Sequence, residues 1–442
     1  MSLVSRELDY KSVDFSHGSY QLSKITPQSE SNIISANGGE EAIFEIPGSK
    51  VVNFGRSILS FELTPGKGGT SIKNWIHSDG FPFIRQLQLY NREGLFLCDI
   101  QNCNVYMKMV SRQSNKISDV QTYDVPANGS GYYTGIYCNN TTVSGTGSSA
   151  RPSSVNNTPF TNYLEPGYCI GGGTDDTADP VINVQIPLSR FVDSVLSLDK
   201  DQYFSEAVYV RIVWNAGTGI GWTNASATDP DAATLAAIAT NMSITNLTLY
   251  TAIEQNPVIV QALVEKFRSG NLSYNIPFVH MNTVSGLSAS GTNNVSVRYS
   301  RPHGSRLKKI LWSGFHGANN ELYNNNNLAA IKFDDYYTMI NNVRTTQYNM
   351  VQGKGDEWLT QKERLRNSCI LSSNEFYYNF VHVDDFSGEL STEHNENIES
   401  GLLLDQKVKW DVQLTAKVAL KHYVFGITSR TLTLGPSGTT LI

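Results

Sequence analysis

The stretches Ala42-Ile43-Phe44-Glu45-Ile46-Pro47 and Ser57-Ile58-Leu59-Ser60-Phe61-Glu62-Leu63 set β-branched and aromatic residues in partial alternation with polar ones, and the second stops at Pro65-Gly66. Successive side chains of an extended backbone point to opposite faces. Such a pattern gives one face to a core and the other to water, and it predicts strands. The texture recurs at residues 83–90, where Gln86 and Gln88 interleave with Leu87 and Leu89 and Asn91-Arg92-Glu93-Gly94 supplies a turn. It returns at 181–188, 207–214 and 242–251, and again at 275–280, 294–299, 307–312, 407–420 and 424–434.

Between these runs the sequence changes character. Residues 114–179 are rich in Gly, Ser, Thr, Asn and Tyr and carry Gly171-Gly172-Gly173 and Asp175-Asp176 near their end. A structureless loop of that length is abnormal inside a compact domain, so this is an insertion outside the core, with small strands of its own or held by neighbours. Residues 215–240 and 319–327 read as further surface loops. Residues 1–41 are polar and mixed, closing on Gly38-Gly39, and look like an arm rather than a packed strand.

One segment carries a clear helical pattern. Over 256–267, Val258, Ile259, Ala262, Leu263 and Phe267 fall near one face, Pro257 fits the first turn, and Arg268-Ser269-Gly270 ends it. Shorter helical stretches are expected at 334–343 and 356–366, and a helical or turn-rich piece at 189–198. The reading divides the chain into an arm (1–41), a first all-β unit (42–255), a linker helix (256–270) and a second all-β unit (271–442).

The two units repeat in order more than in letters. In the first, residues 84–90 precede a Tyr-containing segment at 104–110, a long loop and paired strands ending Leu247-Thr248-Leu249. In the second, 307–312 precede 333–343, a loop and paired strands ending Leu432-Thr433-Leu434. Two all-β sandwiches of about eight strands joined by one helix are the expected architecture.

Composition bounds the function. With 442 residues, 35 Gly, 22 Tyr, 18 Phe and 17% charged residues, the chain is an ordered strand-rich protein large enough for two domains. A net charge of −6 gives no global field for phosphate, and the first 47 residues set Arg6, Lys11 and Lys24 against seven acidic residues, so extensive direct nucleic-acid binding is not expected. Cys98, Cys103, Cys138, Cys169 and Cys369 are odd in number and lack metal spacing, as in a chain made in reducing surroundings. No secretory leader pattern and no apolar run of membrane-spanning length is visible.

Motifs for catalysis are missing from the sequence: no GxxxxGK[ST], no GxSxG in a strand-to-helix setting, no HExxH and no EF-hand loop. His382 and Asp384 fall on the same side of a strand, but no further ligand is identified, and an ordinary surface strand end is the expectation. Asp175/Asp176, Asp229/Asp231 and Asp334/Asp335 read as solvated turn carboxylates, and the basic run 301–309 as a turn and strand start. No catalytic residue, cofactor site or metal site is expected.

Phe44-Glu45-Ile46-Pro47 leading to Phe54-Gly55-Arg56-Ser57-Ile58-Leu59-Ser60-Phe61, then residues 84–90 with Asn91-Arg92-Glu93-Gly94, and Ile186-Pro187-Leu188-Ser189-Arg190-Phe191-Val192 with Leu198-Asp199-Lys200, resemble the double jelly-roll major capsid proteins of the virophage, polinton-like and tectivirus/adenovirus lineage. Beyond about residue 260 the resemblance is architectural. It implies an all-β double jelly roll, two tandem eight-stranded sandwiches with short helices and long surface loops. The resemblance further implies a non-enzymatic structural protein of double-stranded DNA viruses, made inside the host cell and located in the virion. Its homotrimers would form pseudo-hexagonal tiles of an icosahedral shell, with 114–179 as an outer tower. Neighbouring trimers, penton and minor capsid proteins, and an internal membrane or membrane protein are the implied partners. The alternative reading is a viral spike or carbohydrate-binding sandwich using Tyr132, Tyr133 and Tyr137 as an aromatic platform; a cupin-like enzyme lacks its ligand set.

Overall fold

The computed structural model describes residues 19–30, 33–35, 37–64, 73–77, 83–114, 141–144, 151–155, 167–169, 182–217, 221–224, 235–237, 242–270, 272–288, 295–300, 306–316, 333–351, 381–386, 402–403, 409–416, 420–436 and 438–441. Sixteen strands carry the architecture. The first eight are β1 (Tyr20–Ile25), β2 (Glu41–Ile46), β3 (Lys50–Thr64), β4 (Ile84–Asn91), β5 (Phe96–Gln101), β6 (Ile182–Pro187), β7 (Val208–Trp214) and β8 (Met242–Glu254). They form two sheets with neighbour orders β1-β8-β3-β6 and β2-β7-β4-β5.

The second eight are β9 (Leu272–Ser288), β10 (Val295–Ser300), β11 (Arg306–His316), β12 (Phe333–Ile340), β13 in two pieces (Val343–Arg344 and Met350–Val351), β14 (His382–Asp385), β15 (Lys409–Ala416) and β16 (Leu420–Gly435). Their sheets run β9-β16-β11-β14 and β10-β15-β12-β13. Within each unit the chain visits the strands in the same way, first-eighth-third-sixth facing second-seventh-fourth-fifth. That winding is a jelly roll, and it occurs twice in tandem.

The alternation read from sequence fixes the inward face. β2 buries Ala42, Phe44 and Ile46 and leaves Glu41, Ile43 and Glu45 half-covered. Across the sandwich Phe61 of β3 meets Trp214 of β7, with ring centroids 5.2 Å apart in an edge-on arrangement. Residues 188–190 and 195–197 are single 3₁₀ turns, in line with the helical or turn-rich expectation there.

Three expectations are corrected. Residues 20–25 are the first strand of the first roll, hydrogen-bonded to β8 from Tyr20 opposite Glu254 to Ile25 opposite Leu249, rather than part of an arm. The expected helix at 334–343 is strand β12 and its turn. Tyr336 and Thr338 alternate inward, and Asn341 and Asn342 hold φ of 51° and 68°, a two-residue hairpin that a helix does not contain. The repeat is also displaced by one strand from the expected alignment: residues 84–91 match 333–340, and 306–316 match 50–64. The expected helix at 356–366 lies outside the described residues.

Two helices flank the join between rolls. α1 (Cys103–Ser114) follows β5 and buries Cys103, Asn104, Val105, Tyr106, Met107 and Met109. Over residues 103–107 these side chains point all round the helix axis, so this first part of the helix lies between packed layers. α2 (Pro257–Arg268) coincides with the helix expected at 256–267 and is capped by Asn256, whose side chain accepts from the Val258 amide. Its packed face is Val260, Leu263, Val264 and Phe267, a quarter-turn from the expected one, and Val258 stands 66% exposed.

Outside the sandwiches, three connections of the first roll meet. Lys73–His77, between β3 and β4, pairs with Gly167–Cys169 from the insertion after α1 and with Gly221–Asn224 from the connection between β7 and β8, to which Leu235–Ala237 adds a fourth strand. A separate hairpin joins Thr141–Ser144 to Arg151–Val155. The insertion thus has small strands of its own.

Candidate functional site

Nothing in the described residues gathers three His, Cys, Asp or Glu side chains in a metal-holding group. The polar chemistry of the chain sits instead at three structural places. The first staples the start of the first roll. The Tyr20 hydroxyl donates to Asp201 Oδ1 at 2.9 Å, Asn53 Nδ2 donates to Asp199 Oδ1 at 2.9 Å, and Arg56 Nε donates to Asp199 at 2.7 Å with its guanidinium 4.5 Å above the Tyr20 ring. Burial pushes the Tyr20 phenol up to about 12 and raises the Asp201 carboxyl, while the Arg56 guanidinium holds Asp199 below the usual carboxylate range. The group ties β1 to β3 and to the segment at Asp199 and Asp201: Arg56 is paired with Asp199, and Asp201 accepts from Tyr20 and Asn53.

The second place is the core of the second roll. Trp312 Nε1 donates to His422 Nδ1 at 3.4 Å, with the rings stacked at 6.0 Å, and the Tyr336 hydroxyl lies 3.2 Å from His382 Nδ1. His382 Nε2 is 3.2 Å from Asp384 Oδ2. The sequence puts His382 and Asp384 on one side of a strand, as observed, but the expected surface strand end is a fully buried strand: Val381, His382, Val383 and Asp384 are at most 3% exposed. Both faces of β14 are covered, which is why alternation gives no warning there.

The third place is the contact between rolls. From the first roll come β5 and α1; from the second comes the outward face of the β9-β16-β11-β14 sheet. β5 runs beside β9, the Tyr106 ring packs on Phe425 at 5.1 Å, and Asn102 Nδ2 donates to Met281 Sδ at 3.1 Å. Tyr106 is held in turn by its hydroxyl donating to Asp193 at 2.9 Å. Nearby, the Tyr274 hydroxyl donates to the Asp201 carbonyl at 3.1 Å, and Phe267 of α2 packs edge-on to Tyr203 at 5.2 Å. One apolar cluster runs through both rolls.

Sequence reading missed α1, although Cys103, Tyr106, Met107 and Met109 at helical spacing carry a signal for it. Cys98 and Cys103 are buried free thiols, pushed up by burial and therefore poor nucleophiles. Asp335 accepts from Asn349 at 2.8 Å. The basic run begins β11 at Arg306. Residues Asp175, Asp176, Asp229, Asp231, Tyr132, Tyr133, Tyr137 and Gly171-Gly172-Gly173 lie outside the described residues.

Two sandwiches of one winding, joined by a helix and an apolar contact, define a double jelly-roll protein. In backbone shape the chain is similar to a chain of the Sputnik virophage structure solved by cryo-EM, with TM-score 0.55 and 12% identity over 96% of this chain and 88% of that one. It is similar also to PBCV-1 VP54, from a crystal structure fitted into a reconstruction of the same virophage (TM-score 0.53, 9% identity, 96% and 97% covered), and to a chain of the PBCV-1 virus capsid (0.50, 9%, 96% and 97%). At these identities the likeness is one of fold. No protein-family model matches the chain, and no curated protein matches it in sequence.

Proposed function

We propose that this chain is a major capsid protein: a non-enzymatic structural unit whose homotrimers form pseudo-hexagonal tiles of an icosahedral virion shell. The observation that carries the reading is the tandem repetition of one jelly-roll winding with a head-to-tail apolar contact between the repeats. Three such chains supply six like sandwiches, enough to close a ring with near-sixfold character. The fold likeness to chains of the Sputnik virophage and the PBCV-1 capsid supports the same reading.

On this reading the accessory sheet from 73–77, 167–169, 221–224 and 235–237 is the base of the outer tower. Neighbouring trimers, penton and minor capsid proteins, and an internal membrane or membrane protein are the partners. No catalytic residue, cofactor or metal enters the mechanism, which is burial of apolar surface between copies. The test is the molar mass of the purified protein by light scattering, with negative-stain imaging of the same fraction. A mass of three chains and pseudo-hexagonal particles is the expected result; a stable monomer without assemblies would return the chain to the glycan-binding reading.

A further inference from the structure

One end of the first roll holds more acceptors than its neighbours answer. Tyr20 of β1 stands opposite Glu254 of β8; Asn53 of β3 stands opposite Ala252 of β8 on one side and Asp201, at the start of the short strand Asp201–Phe204, on the other. Residues opposite one another in a ladder share a face, and so do residues two apart on one strand. Tyr20, Asn53, Asp201 and Glu254 therefore meet on one face of the sheet, just before α2 begins.

Asp199, beside them, is taken by Arg56. Asp201 spends Oδ1 on Tyr20 and Asn53, and among the described residues no donor reaches its Oδ2. Glu254, 3% exposed, spends Oε1 on the amides of Ser19 and Asn256 at 2.8 and 2.7 Å, and its Oε2 is buried without a hydrogen-bond partner. Asn53, 1% exposed, turns its Nδ2 to Asp199 and Asp201, and its Oδ1 is likewise buried without a partner. A buried acceptor with no donor is costly, and two sit here beside a third. Burial first, and then the charge of Glu254, raise the Asp201 carboxyl, so the two acids stand close enough to repel.

The three unused atoms are all oxygens, two from carboxylates and one from an amide. Imidazole and thiolate, the donors that select transition metals, take no part. Irregular, mixed oxygen sets suit calcium, whereas magnesium demands a near-regular octahedron. We propose that Glu254 Oε2, Asn53 Oδ1 and Asp201 Oδ2 hold a calcium ion, with water completing its shell. Two carboxylates and an amide make a weak site, with a Kd on the order of 0.1–1 mM. The ion locks the end of β8, where the linker helix starts, to β3 and to Asp201. It stands independently of the trimeric reading.

The experiment uses the full-length protein, stripped with a chelator and dialysed, and titrates calcium chloride by isothermal calorimetry. Terbium chloride serves as a luminescent stand-in excited through tyrosine, since the Tyr20 hydroxyl bonds Asp201. Saturable calcium binding and displacement of terbium by calcium are expected. Glu254→Gln, whose amide oxygen still accepts from Ser19 and Asn256, and Asp201→Asn, which still accepts from Tyr20, each weaken calcium roughly tenfold or more. Glu206→Gln, at an exposed carboxylate between Phe204 and β7, leaves binding unchanged. Far-UV circular dichroism confirms folding, and if one variant unfolds the other carries the test. A wild type that binds neither ion overturns the site. Binding that survives both substitutions does so too, by placing the ion elsewhere in the chain, and equal affinity for magnesium overturns the choice of calcium. None of these results bears on the molar mass, so the site and the tile fail separately.

Discussion

His422 shows how a single side chain can set a pH limit on the fold. It is wholly inside the second roll, its Nδ1 accepts from Trp312, and burial lowers its pKa to about 4 from an ordinary 6.5. Below pH 6.5 the unfolded chain takes up a proton that the folded chain refuses until about 4, so stability is complete above that window and falls as the pH drops through it. The loss is on the order of 3 kcal/mol at about 1.4 kcal/mol per unit. His422→Asn keeps an acceptor for Trp312 and removes the titration. The variant's urea midpoint is expected to change less than the wild type's between pH 7 and 4.5, and equal changes would clear His422 of the effect. The sequence displays this histidine as one of eight dispersed ones. Only the pairing of β16 with β11, more than 100 residues upstream, brings it to Trp312.

At the scale of elements, what was legible depended on whether burial was one-sided. β2 alternates because one face is core and the other half-covered, β4 and β7 do so apart from Gln88 and Val213, which are buried as well, and the positions of all three follow from the residues alone. β12 misled for a different reason. Asp334-Asp335 at its start and Asn341-Asn342 at its end look like helix-terminal residues, yet Asn tolerates the left-handed backbone, and two in a row make the tight hairpin that pairs Ile340 with Val343. Asn342→Gly is expected to leave stability unchanged or raise it slightly, and Asn342→Val to lower it by about 1–2 kcal/mol, the cost of forcing a β-branched residue into that region. Thermal denaturation of the two variants checks the sign. β1 was hidden because Tyr20-Gln21-Leu22-Ser23-Lys24-Ile25 is too polar to stand out; it is an edge strand whose partner lies at the far end of the roll.

For the whole molecule, tandem all-β organisation and the linker helix were readable, while the alignment of the two repeats was not, since their letters do not match and strand order is a long-range property. The continuous apolar cluster through both rolls gives the molecule one cooperative core. Calorimetry of the wild type should therefore show a single transition. Tyr106→Ala removes the ring that meets Phe425 and the bond to Asp193, a cost of about 3–5 kcal/mol, and should split the transition in two. A single unshifted peak in the variant would mean that the rolls are coupled elsewhere. The pairing of Tyr20–Ile25 with Met242–Glu254 has a consequence on the ribosome. At about 5–20 residues per second, β1 emerges roughly 10–50 s before the strand that completes its sheet. The nascent chain must carry that open edge through the synthesis of the whole insertion, and the first roll can close only as the linker helix leaves the exit tunnel. Slow codons or a bound chaperone over residues 100–240 would act on the yield of folded protein without touching any residue of its finished sheets.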